Sequence, residues 1–432
     1  MSADTIFAVS SGRLPSGVAV VRVSGPHAPA ALVALAGALP EPRRARFGPL
    51  HRPDDGVQLD LAVQLFFPAP ASATGEDVVE LHLHGGRAVV ASVLGVLSRQ
   101  PGLRPADAGE FTRRAHAHGK LDLAEVEGLA DLIAAESEAQ RRQALAQAAG
   151  GLSRHVERWR GALLWALALT EASLDFSDEG DVNERLQDDV RQALAPVVAE
   201  IDAALRDSLR GERVRDGLVI AIAGPPNAGK SSLLNRLAGR EAAIVSSTPG
   251  TTRDVLEIHL ELAGQAVTVL DTAGLRETVD AVEAEGVRRA LARAEEAHLV
   301  LWLSDTGDEP PRALSGALRV RTKMDLGGVC PAGWIGLSVL EPDGIEPLLD
   351  VVARLFEGLV GGEPALITRE RQRRSLDLAL GYLRAVVENY WVSDELQAEE
   401  LRLATRALDR TIGRIDVEDV LDAVFSTFCI GK

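Results

Sequence analysis

The stretch GPPNAGKS at positions 224–231 has the residue types of a phosphate-binding loop. Its glycines let backbone N–H groups wrap phosphate oxygens, Lys230 can reach the β- and γ-phosphates, and the Ser231 hydroxyl can ligate Mg²⁺. The apolar run LVIAIA before the loop predicts a strand, and SSLLNRLAG after it predicts a helix. Because a phosphate-binding loop needs that strand and that helix, the pattern predicts nucleotide binding.

Two further motifs indicate which nucleotide is bound. AVTVLDTAG ends a predicted strand with Asp271 and Gly274, spaced so that the carboxylate can reach Mg²⁺ through water and the glycine amide can read the γ-phosphate. In TKMD, the Asp325 carboxylate can accept two N–H donors of guanine, a pair that adenine lacks. Thr322 stands where the usual motif has Asn, so we expect weaker bracing of this loop. With SVL (338–340) as a loose version of the last guanine-loop motif, the sequence predicts GTP.

The water that attacks GTP needs a group to orient it. In Ras-like switches a Gln soon after DxxG does so, but here the apolar Leu275 follows. Asn227 and the predicted switch I loop SSTPGTTRD (246–254) offer oxygens for a monovalent cation where charge develops. Glu283, in predicted switch II, could position or deprotonate the water, although its spacing alone favours a solvated acid at a helix start. The predicted GTP contacts are Asn227, Ala228, Gly229, Lys230, Ser231, Ser232, Ser246, Ser247, Thr248, Pro249, Gly250, Thr251, Thr252, Asp271, Thr272, Ala273, Gly274, Thr322, Lys323, Asp325, Ser338, Val339 and Leu340.

Composition limits the classes of function. A length of 432 residues predicts two to four domains. The net charge of −17 argues against a surface that coats nucleic acid, so RNA contact would be local. The arginine runs EPRRARF (41–47) and TRERQRR (368–374) are candidates, although such runs are more often solvated faces. Apolar runs stay below the roughly 20 residues that span a bilayer, which predicts a cytoplasmic protein with no membrane partner.

Periodicity predicts the elements that position these motifs. GVAVVRVSG, LDLAVQLFF and DVVELHLHGG predict strands of an α/β domain over 1–118. Ala/Leu/Glu-rich spacing predicts long helices over 119–215 and 363–432, two parts of one discontinuous helical domain. Between them, over 216–362, LVIAIAG, IHLELAG, AVTVLDTAG and HLVLWLSD predict a parallel doubly wound sheet with helices between its strands. The stretch 304–321 is short for a helical crossover, so we expect that part of the sheet to be trimmed.

Six motifs together point to one family. They are GPPNAGKSSLLN, PGTTRD, DTAGLRE, GEFTRRAHAHGKLDL, ATGEDVVELHLHGG and FCIGK, and with them the chain closely resembles the bacterial tRNA-modification GTPase family MnmE, also called TrmE. The resemblance covers nearly the whole chain. It implies an α/β multidomain protein with an N-terminal α/β domain that dimerises and binds 5-formyl-tetrahydrofolate, a discontinuous α-helical domain and an inserted Ras-like P-loop GTPase domain.

The same resemblance implies an activity and partners. A homodimer would join the flavoprotein MnmG in a heterotetramer and add a carboxymethylaminomethyl or aminomethyl group at C5 of the wobble uridine of certain tRNAs. GTP binding would dimerise the G domains in a K⁺-dependent way and drive hydrolysis without an arginine finger, with Glu283 orienting the water. The implied K⁺ ligands are Asn227, Ser246, Thr248 and Thr251. The implied Mg²⁺ ligands are Ser231 and Thr252. The implied folate residues are Arg22, Glu80, Lys120 and Lys432, whose charges suit the carboxylates and pterin N–H donors of that ligand.

All four lysines of the chain, Lys120, Lys230, Lys323 and Lys432, fall inside these motifs. A site built for a compact ammonium does not freely accept a planar guanidinium, so each marks a position of interest. FCIGK (428–432) is then predicted to dock instead of fraying, with Lys432 at the folate and Cys429 near the one-carbon group. Whether Cys429 attacks the uridine as a thiolate or only packs stays open.

The same motifs bear on two alternative interpretations. A regulatory GTPase of the ribosome-assembly type would use GTP only as a switch. Such a protein needs neither FCIGK nor folate residues, and it would carry a basic RNA-binding domain that is not evident in the sequence. His82 and His84 share one strand face and suggest a metal site, yet no third ligand is near, so we expect a structural role for both.

Overall fold

The computed structural model describes residues 4–175, 180–239, 243–244, 257–271, 297–388, 393–415, 421, 424–426, 428 and 430–431. The chain divides into two compact units. The first comprises Met1–Ala130, Ala148–Phe176 and Ser393–Lys432, and the second comprises Asp131–Gln147 and Ser177–Val392. Each unit is therefore assembled from segments that are distant in sequence. The boundaries of the four predicted domains stay predictions.

The first unit contains a six-stranded sheet. Its strands are β1 (Thr5–Val9), β2 (Ser16–Ser24), β3 (Arg46–His51), β4 (Gln58–Phe67), β5 (Val78–Gly85) and β6 (Leu103–Pro105). Their spatial order is β3-β4-β5-β2-β1-β6, and neighbours pair antiparallel except β1 and β6, which are parallel. The strands β2, β4 and β5 coincide with the three predicted from sequence, which confirms those predictions.

The helices of the described residues occur both between strands and in consecutive runs. They are α1 (Ala28–Ala36), α2 (Arg87–Leu97), α3 (Glu110–Ala117), α4 (Leu123–Ala134), α5 (Glu138–Ala148), α6 (Gly151–Asp175), α7 (Gly180–Asp216), α8 (Lys230–Ala238), α9 (Glu346–Val360), α10 (Glu370–Glu388) and α11 (Asp394–Thr411). In the first unit α6 packs against α11, and in the second α7 packs against α10. On α6 the residues Leu152, Val156, Trp159 and Leu163 are all buried. Their three- and four-residue spacing makes one continuous apolar stripe, which is what packing two long helices requires.

One face of the first sheet is covered by α1 and α2. Val79, Leu81 and Leu83 of β5 are buried in the same apolar core as residues of both helices. The alternating residues Glu80 and His82 point to the other face and stay partly exposed. This second face, which we call the open face, carries polar side chains of β5, and Phe111 of α3 packs against its β1 end.

A network of ion pairs surrounds the start of α3. Arg104 pairs with Asp4 and Glu110, and Arg114 pairs with Asp4, Glu76 and Glu110. Burial raises the pKa of Asp4 and Glu110, but the hydrogen bonds and charges of the two arginines outweigh burial, so the pKa of both carboxyls lies below its ordinary value. The network ties α3 to the first strand and to the loop before β5.

The second unit contains a seven-stranded sheet. Its strands are β7 (Leu218–Ala223), β8 (Ala243–Ile244), β9 (Glu257–Leu262), β10 (Gln265–Asp271), β11 (Leu299–Ser304), β12 (Leu318–Arg321) and β13 (Ile335–Gly336). Their spatial order is β13-β12-β11-β7-β10-β9-β8, with parallel pairing from β13 to β10. Parallel strands bring their carboxyl ends to one edge, where ligands of such sheets bind.

The sheet is parallel from β13 to β10, as predicted, but the antiparallel strands β9 and β8 make it mixed. β9 and β10 pair antiparallel and are joined only by Ala263 and Gly264, which leaves no room for a helix. Both turn residues have positive φ (51° and 76°), the backbone conformation of a tight hairpin turn. Between β11 and β12 the chain makes only a short 3₁₀ turn at Arg312–Leu314, which confirms the trimmed crossover predicted for 304–321.

Candidate functional site

The phosphate-binding loop connects β7 to α8. Gly224, Asn227 and Gly229 have positive φ (153°, 61° and 90°), a conformation that turns successive N–H groups towards one anion. The Nζ of Lys230 donates to the carbonyl oxygens of Gly224 (2.8 Å) and Pro225 (2.7 Å). The ammonium is thus held over the loop, directly ahead of the helix N-terminus that favours negative charge.

Two residues predicted to serve Mg²⁺, Ser231 and Asp271, belong to elements that meet at this sheet edge. β10 pairs in parallel with β7, and Asp271 stands opposite Ile222, two residues before the loop begins. Ser231 is exposed in the first turn of α8. Because the last residues of β7 and β10 meet at this edge, the sheet register brings the backbone of Asp271 to the edge from which the phosphate-binding loop leaves.

The guanine loop follows β12 at this edge. Thr322 is 3% exposed, and its Oγ1 donates to the carbonyl oxygen of Ala228 in the phosphate-binding loop at 2.8 Å. Its hydroxyl thus ties the guanine loop to the phosphate-binding loop, and the weaker bracing expected relative to Asn stays a prediction. Ser338 Oγ donates to Asp325 Oδ1 at 2.8 Å. That bond orients the carboxylate that is predicted to accept the N–H donors of guanine.

Sequence analysis missed Asp305, which holds the lysine of the guanine loop. Lys323 has a left-handed backbone (φ 57°), and its Nζ lies 2.7 Å from Asp305 Oδ2. The hydrogen bond from Lys323, together with its charge, brings the pKa of Asp305 below its ordinary value. The signal that could have found it is its place, directly after β11 at the carboxyl edge of the sheet. The pair is partly exposed, so it orients Lys323 more than it stabilises the fold.

Several predicted site residues lie outside the described residues. They are Ser246, Ser247, Thr248, Pro249, Gly250, Thr251, Thr252, Thr272, Ala273, Gly274, Glu283, Cys429 and Lys432. Of the other predicted GTP contacts, Ser232 is exposed on α8, Val339 is half-buried and Leu340 is exposed. The Leu340 N–H donates to Ser338 Oγ at 3.3 Å, which closes the last guanine-loop turn.

Residues predicted to bind folate lie on the open face of the first sheet. Arg22 on β2 stands opposite Glu80 on β5, and its Nε and Nη2 donate to Glu80 Oε1 at 3.0 and 2.8 Å. The guanidinium also lies over the Phe111 ring, 5.8 Å from its centroid. His82 Nε2 lies 3.4 Å from the other oxygen of Glu80. Lys120 is exposed a short distance after α3 in the chain.

The chain around residue 430 docks on the first unit. Ile430 forms an antiparallel bridge with Ala108, and Ser10 Oγ donates to the Gly431 carbonyl oxygen at 2.7 Å. Phe428 is 6% exposed. The predicted docking of FCIGK is therefore confirmed for Phe428, Ile430 and Gly431, the residues of that motif that the structure describes.

Other candidates from the sequence have structural partners. In the run 368–374, Arg369, Arg373 and Arg374 each pair with a carboxylate. Arg43 and Arg46 of the other run donate to main-chain carbonyls. These contacts favour structural roles over RNA contact for both runs. Similarly, the His84 Nδ1 lies 2.7 Å from Asp60 Oδ1, a pairing on the sheet itself.

A phosphate-binding loop, a strand-end aspartate and a guanine loop at one edge of a mixed sheet define a P-loop GTPase. Comparisons with known proteins identify the family within this class. The family model described as GTP-binding protein TrmE N-terminus matches residues 5–120, and that described as MnmE helical domain matches residues 123–429. The chain therefore belongs to the MnmE family of tRNA modification GTPases.

Individual relatives agree over their full lengths. A protein of Azorhizobium caulinodans named tRNA modification GTPase MnmE is 63% identical over 432 residues, with 100% of this chain and 99% of the relative covered. Proteins of the same name from Bradyrhizobium sp. and Rhodopseudomonas palustris are 54% and 52% identical, with 99% or more of this chain and 99% of each relative covered.

The family assignment establishes a GTP-hydrolysing enzyme of tRNA modification. Its architecture is an N-terminal TrmE-type α/β domain, a helical domain and a Ras-like G domain. The assignment favours tRNA modification over the regulatory GTPase of the ribosome-assembly type. Within the part of the chain that the structure describes, none of the helices has the length and apolar composition of a membrane span.

Proposed function

We propose that this enzyme, with a flavoprotein partner of the MnmG type, adds a carboxymethylaminomethyl or aminomethyl group at C5 of the wobble uridine of certain tRNAs. The observation that carries the proposal is the 63% identity over the whole chain to a tRNA modification GTPase. Mass spectrometry of nucleosides from a deletion strain is the test. We expect the modified uridine to disappear in the deletion strain and to return when this chain is supplied. Unchanged wobble uridines in the deletion strain would contradict the proposal.

The proposal includes K⁺-dependent hydrolysis in a homodimer whose G domains meet when GTP binds. Asn227 supports it, because this residue turns the phosphate-binding loop and is exposed there, so its amide oxygen is available to a cation near the β- and γ-phosphates. The other proposed K⁺ ligands are Ser246, Thr248 and Thr251. The proposed Mg²⁺ ligands are Ser231, exposed at the start of α8, and Thr252. The cations would supply positive charge to the phosphate oxygens.

The cation dependence is tested by GTP turnover at equal ionic strength in K⁺ and in Na⁺. We expect strong stimulation by K⁺ in the wild type and its loss in Asn227→Ala. Asn235→Ala, an exposed position on α8, is the matched control, since Asn235 is assigned neither to GTP nor to a cation. Equal rates in the two salts would remove the cation from the mechanism.

Glu283 is proposed to orient or deprotonate the attacking water. We expect Glu283→Ala to lower kcat by about 100-fold or more, with little change in GTP affinity, because a positioned acid or base typically contributes that much. Glu285→Ala, two residues further along the chain, serves as the matched control. An unchanged kcat in Glu283→Ala would make Glu283 an ordinary solvated acid.

The open face of the first sheet is proposed to bind 5-formyl-tetrahydrofolate. The support is the Arg22–Glu80 pair, in which a partly exposed carboxylate suited to pterin N–H donors is oriented by two hydrogen bonds. Lys120 and Lys432 would bind carboxylates of the ligand. We expect Glu80→Gln to weaken folate binding roughly 10- to 150-fold in calorimetry, the effect of one charged hydrogen bond. Glu41→Gln, at an exposed surface pair, should bind normally, and normal binding by Glu80→Gln would exclude this site.

The remaining parts of the proposal concern Cys429 and assembly. Loss of tRNA modification in Cys429→Ser, with folate binding retained, would identify a nucleophile, whereas full activity would make Cys429 a packing residue. We further propose action in the cytoplasm as a homodimer that forms a heterotetramer with the flavoprotein. Light scattering of the purified mixture tests that stoichiometry, and a complex of one copy of each chain would contradict it.

A further inference from the structure

One face of α5 consists of glutamines that bind main-chain carbonyls. The residues are 140, 143 and 147, a spacing that places all three on the same side of a helix. Their Nε2 atoms donate as follows: Gln140 to Arg215 O (3.0 Å), Gln143 to Gly211 O (2.8 Å), and Gln147 to Ala365 O (3.1 Å) and Leu366 O (2.7 Å). Gln143 and Gln147 are 4% and 3% exposed, so water does not compete for these bonds.

These carbonyls mark the two places where the chain connects to the nucleotide-binding sheet. Gly211 and Arg215 form the last turns of α7, just before β7, and residues 365–366 follow α9. The two connections also touch, because a Cβ on Gly211 would lie 2.1 Å from the Ile367 carbonyl oxygen. We call residues 138–147, 211–215 and 365–368 the root junction.

The root junction also holds the hairpin of the nucleotide-binding sheet. The N–H of Ala139, in the first turn of α5, donates to the carbonyl oxygen of Gly264 at 3.1 Å. From that turn β10 runs to Asp271 at the phosphate edge, paired with β7 from Val267 onwards. At about 3.3 Å per residue the strand spans roughly 23 Å. The two strands that end at the nucleotide therefore both begin at the root junction.

The bonds of α5 form one connected network across the junction. Its glutamine Nε2 atoms reach both connections, and the Ala139 N–H reaches the hairpin. Connected hydrogen-bond networks of this kind carry energetic coupling between distant sites.

We propose that the root junction couples the nucleotide state of the GTPase site to the chain segments that connect to its sheet. The nucleotide state at the ends of β7 and β10 changes the hairpin contact at Ala139, and the glutamine face of α5 passes that change to residues 365–368. The reverse also holds, because coupling between two sites is reciprocal. A change in α5 should therefore change how the protein differs between its GDP-bound and GTP-bound forms.

Hydrogen exchange measured by mass spectrometry on the full chain tests this coupling. We expect exchange of α5 and residues 365–368 to differ at least about fivefold between GDP and a non-hydrolysable GTP analogue, the lower end of typical couplings. Ala139→Pro removes the N–H donor at a first-turn position where helices tolerate proline. In that variant the difference should fall below about twofold, with GDP affinity unchanged within about twofold.

Matched variants separate coupling from a structural defect. Glu138→Pro places proline one residue earlier and leaves the Ala139 donor in place, so it should keep the full nucleotide-dependent difference. If Ala139→Pro does not fold, Gln147→Met removes an amide donor at nearly constant volume and carries the same expectation, with exposed Gln192→Met as its control. A wild-type α5 that exchanges equally in both states, or a folded variant that keeps the full difference, would overturn the proposal.

Discussion

Replacing Thr322 by valine should weaken binding of guanine nucleotides. The substitution keeps the side-chain shape and removes only the Oγ1 that donates to Ala228 O at 2.8 Å. Thr322 and Ala228 are 3% and 0% exposed, so the carbonyl that loses its donor has little access to water. An unpaired buried acceptor costs about 1–3 kcal/mol. At about 1.4 kcal/mol per factor of ten, this cost corresponds to an increase of roughly 5- to 150-fold in Kd for the nucleotide.

The cost should fall on affinity because the lost bond joins two loops that one nucleotide must bridge. Since loops relax, we expect the lower part of that range, about tenfold in Kd for GDP, mostly as faster dissociation. The assay is stopped-flow release of fluorescent GDP from the full chain. Thr322→Ser keeps the hydroxyl, and Thr322→Asn supplies an amide donor, so both should release GDP at nearly the wild-type rate.

Thr268→Val is the matched control for that experiment. Thr268 lies on β10, and its hydroxyl contacts His259 on β9 at 3.1 Å without joining the two nucleotide loops. Wild-type GDP release by Thr322→Val would refute the bracing argument. Equal acceleration in Thr322→Val and Thr268→Val would refute it too, because any lost hydroxyl in the domain would then suffice.

Three further outcomes follow from contacts described above. Gly211→Ala places a Cβ 2.1 Å from the Ile367 carbonyl oxygen. The resulting overpacking should cost about 1–3 kcal/mol and lower the urea midpoint of unfolding. Gly161→Ala, at a helix position with open space around it, should not lower that midpoint. Ser338→Ala removes a bond to Asp325 and should weaken GDP binding roughly 2- to 12-fold in competition titrations; wild-type affinity would contradict that role. Because the pKa of Asp4 is lowered in the folded chain, its stabilisation exists above the unfolded pKa of about 4 and is lost as pH falls through the folded pKa. Tm should fall as the pH is lowered below about 4, and it should fall less in Asp4→Asn. A Tm that stays constant from about pH 3 to 6 would contradict this expectation.

Sequence patterns predict this molecule well where the determinants are local. The phosphate-binding loop lies between β7 and α8 as its composition requires, and the period-two strands of the first sheet occur where predicted. The β9–β10 hairpin is missed because Ala263 adopts positive φ, although its residue type does not signal a turn. The bond from Thr322 spans 94 residues and that from Gln147 to Leu366 spans 219, so no local pattern can contain either.

In the guanine site, too, the sequence predicts the residue that binds the base but not the residues that orient the loop. Asp325 is predictable because guanine offers a particular donor pair, which only a carboxylate can match. Its orienting partner Ser338 and the Lys323 partner Asp305 come from other strand ends. Their side chains meet only after the sheet has formed, and their types are compatible with many loops.

The close approach of Gly211 to Ile367 describes how the nucleotide-binding domain is attached to its host helices. Because the chain leaves the helical part and returns to it at neighbouring points, the nucleotide-binding domain sits in its host as a loop insertion does. A host fold tolerates an insertion of this kind, since no other segment has to be rerouted. Replacing residues 218–362 by a short turn would therefore join two neighbouring points and leave the path of the other segments unchanged.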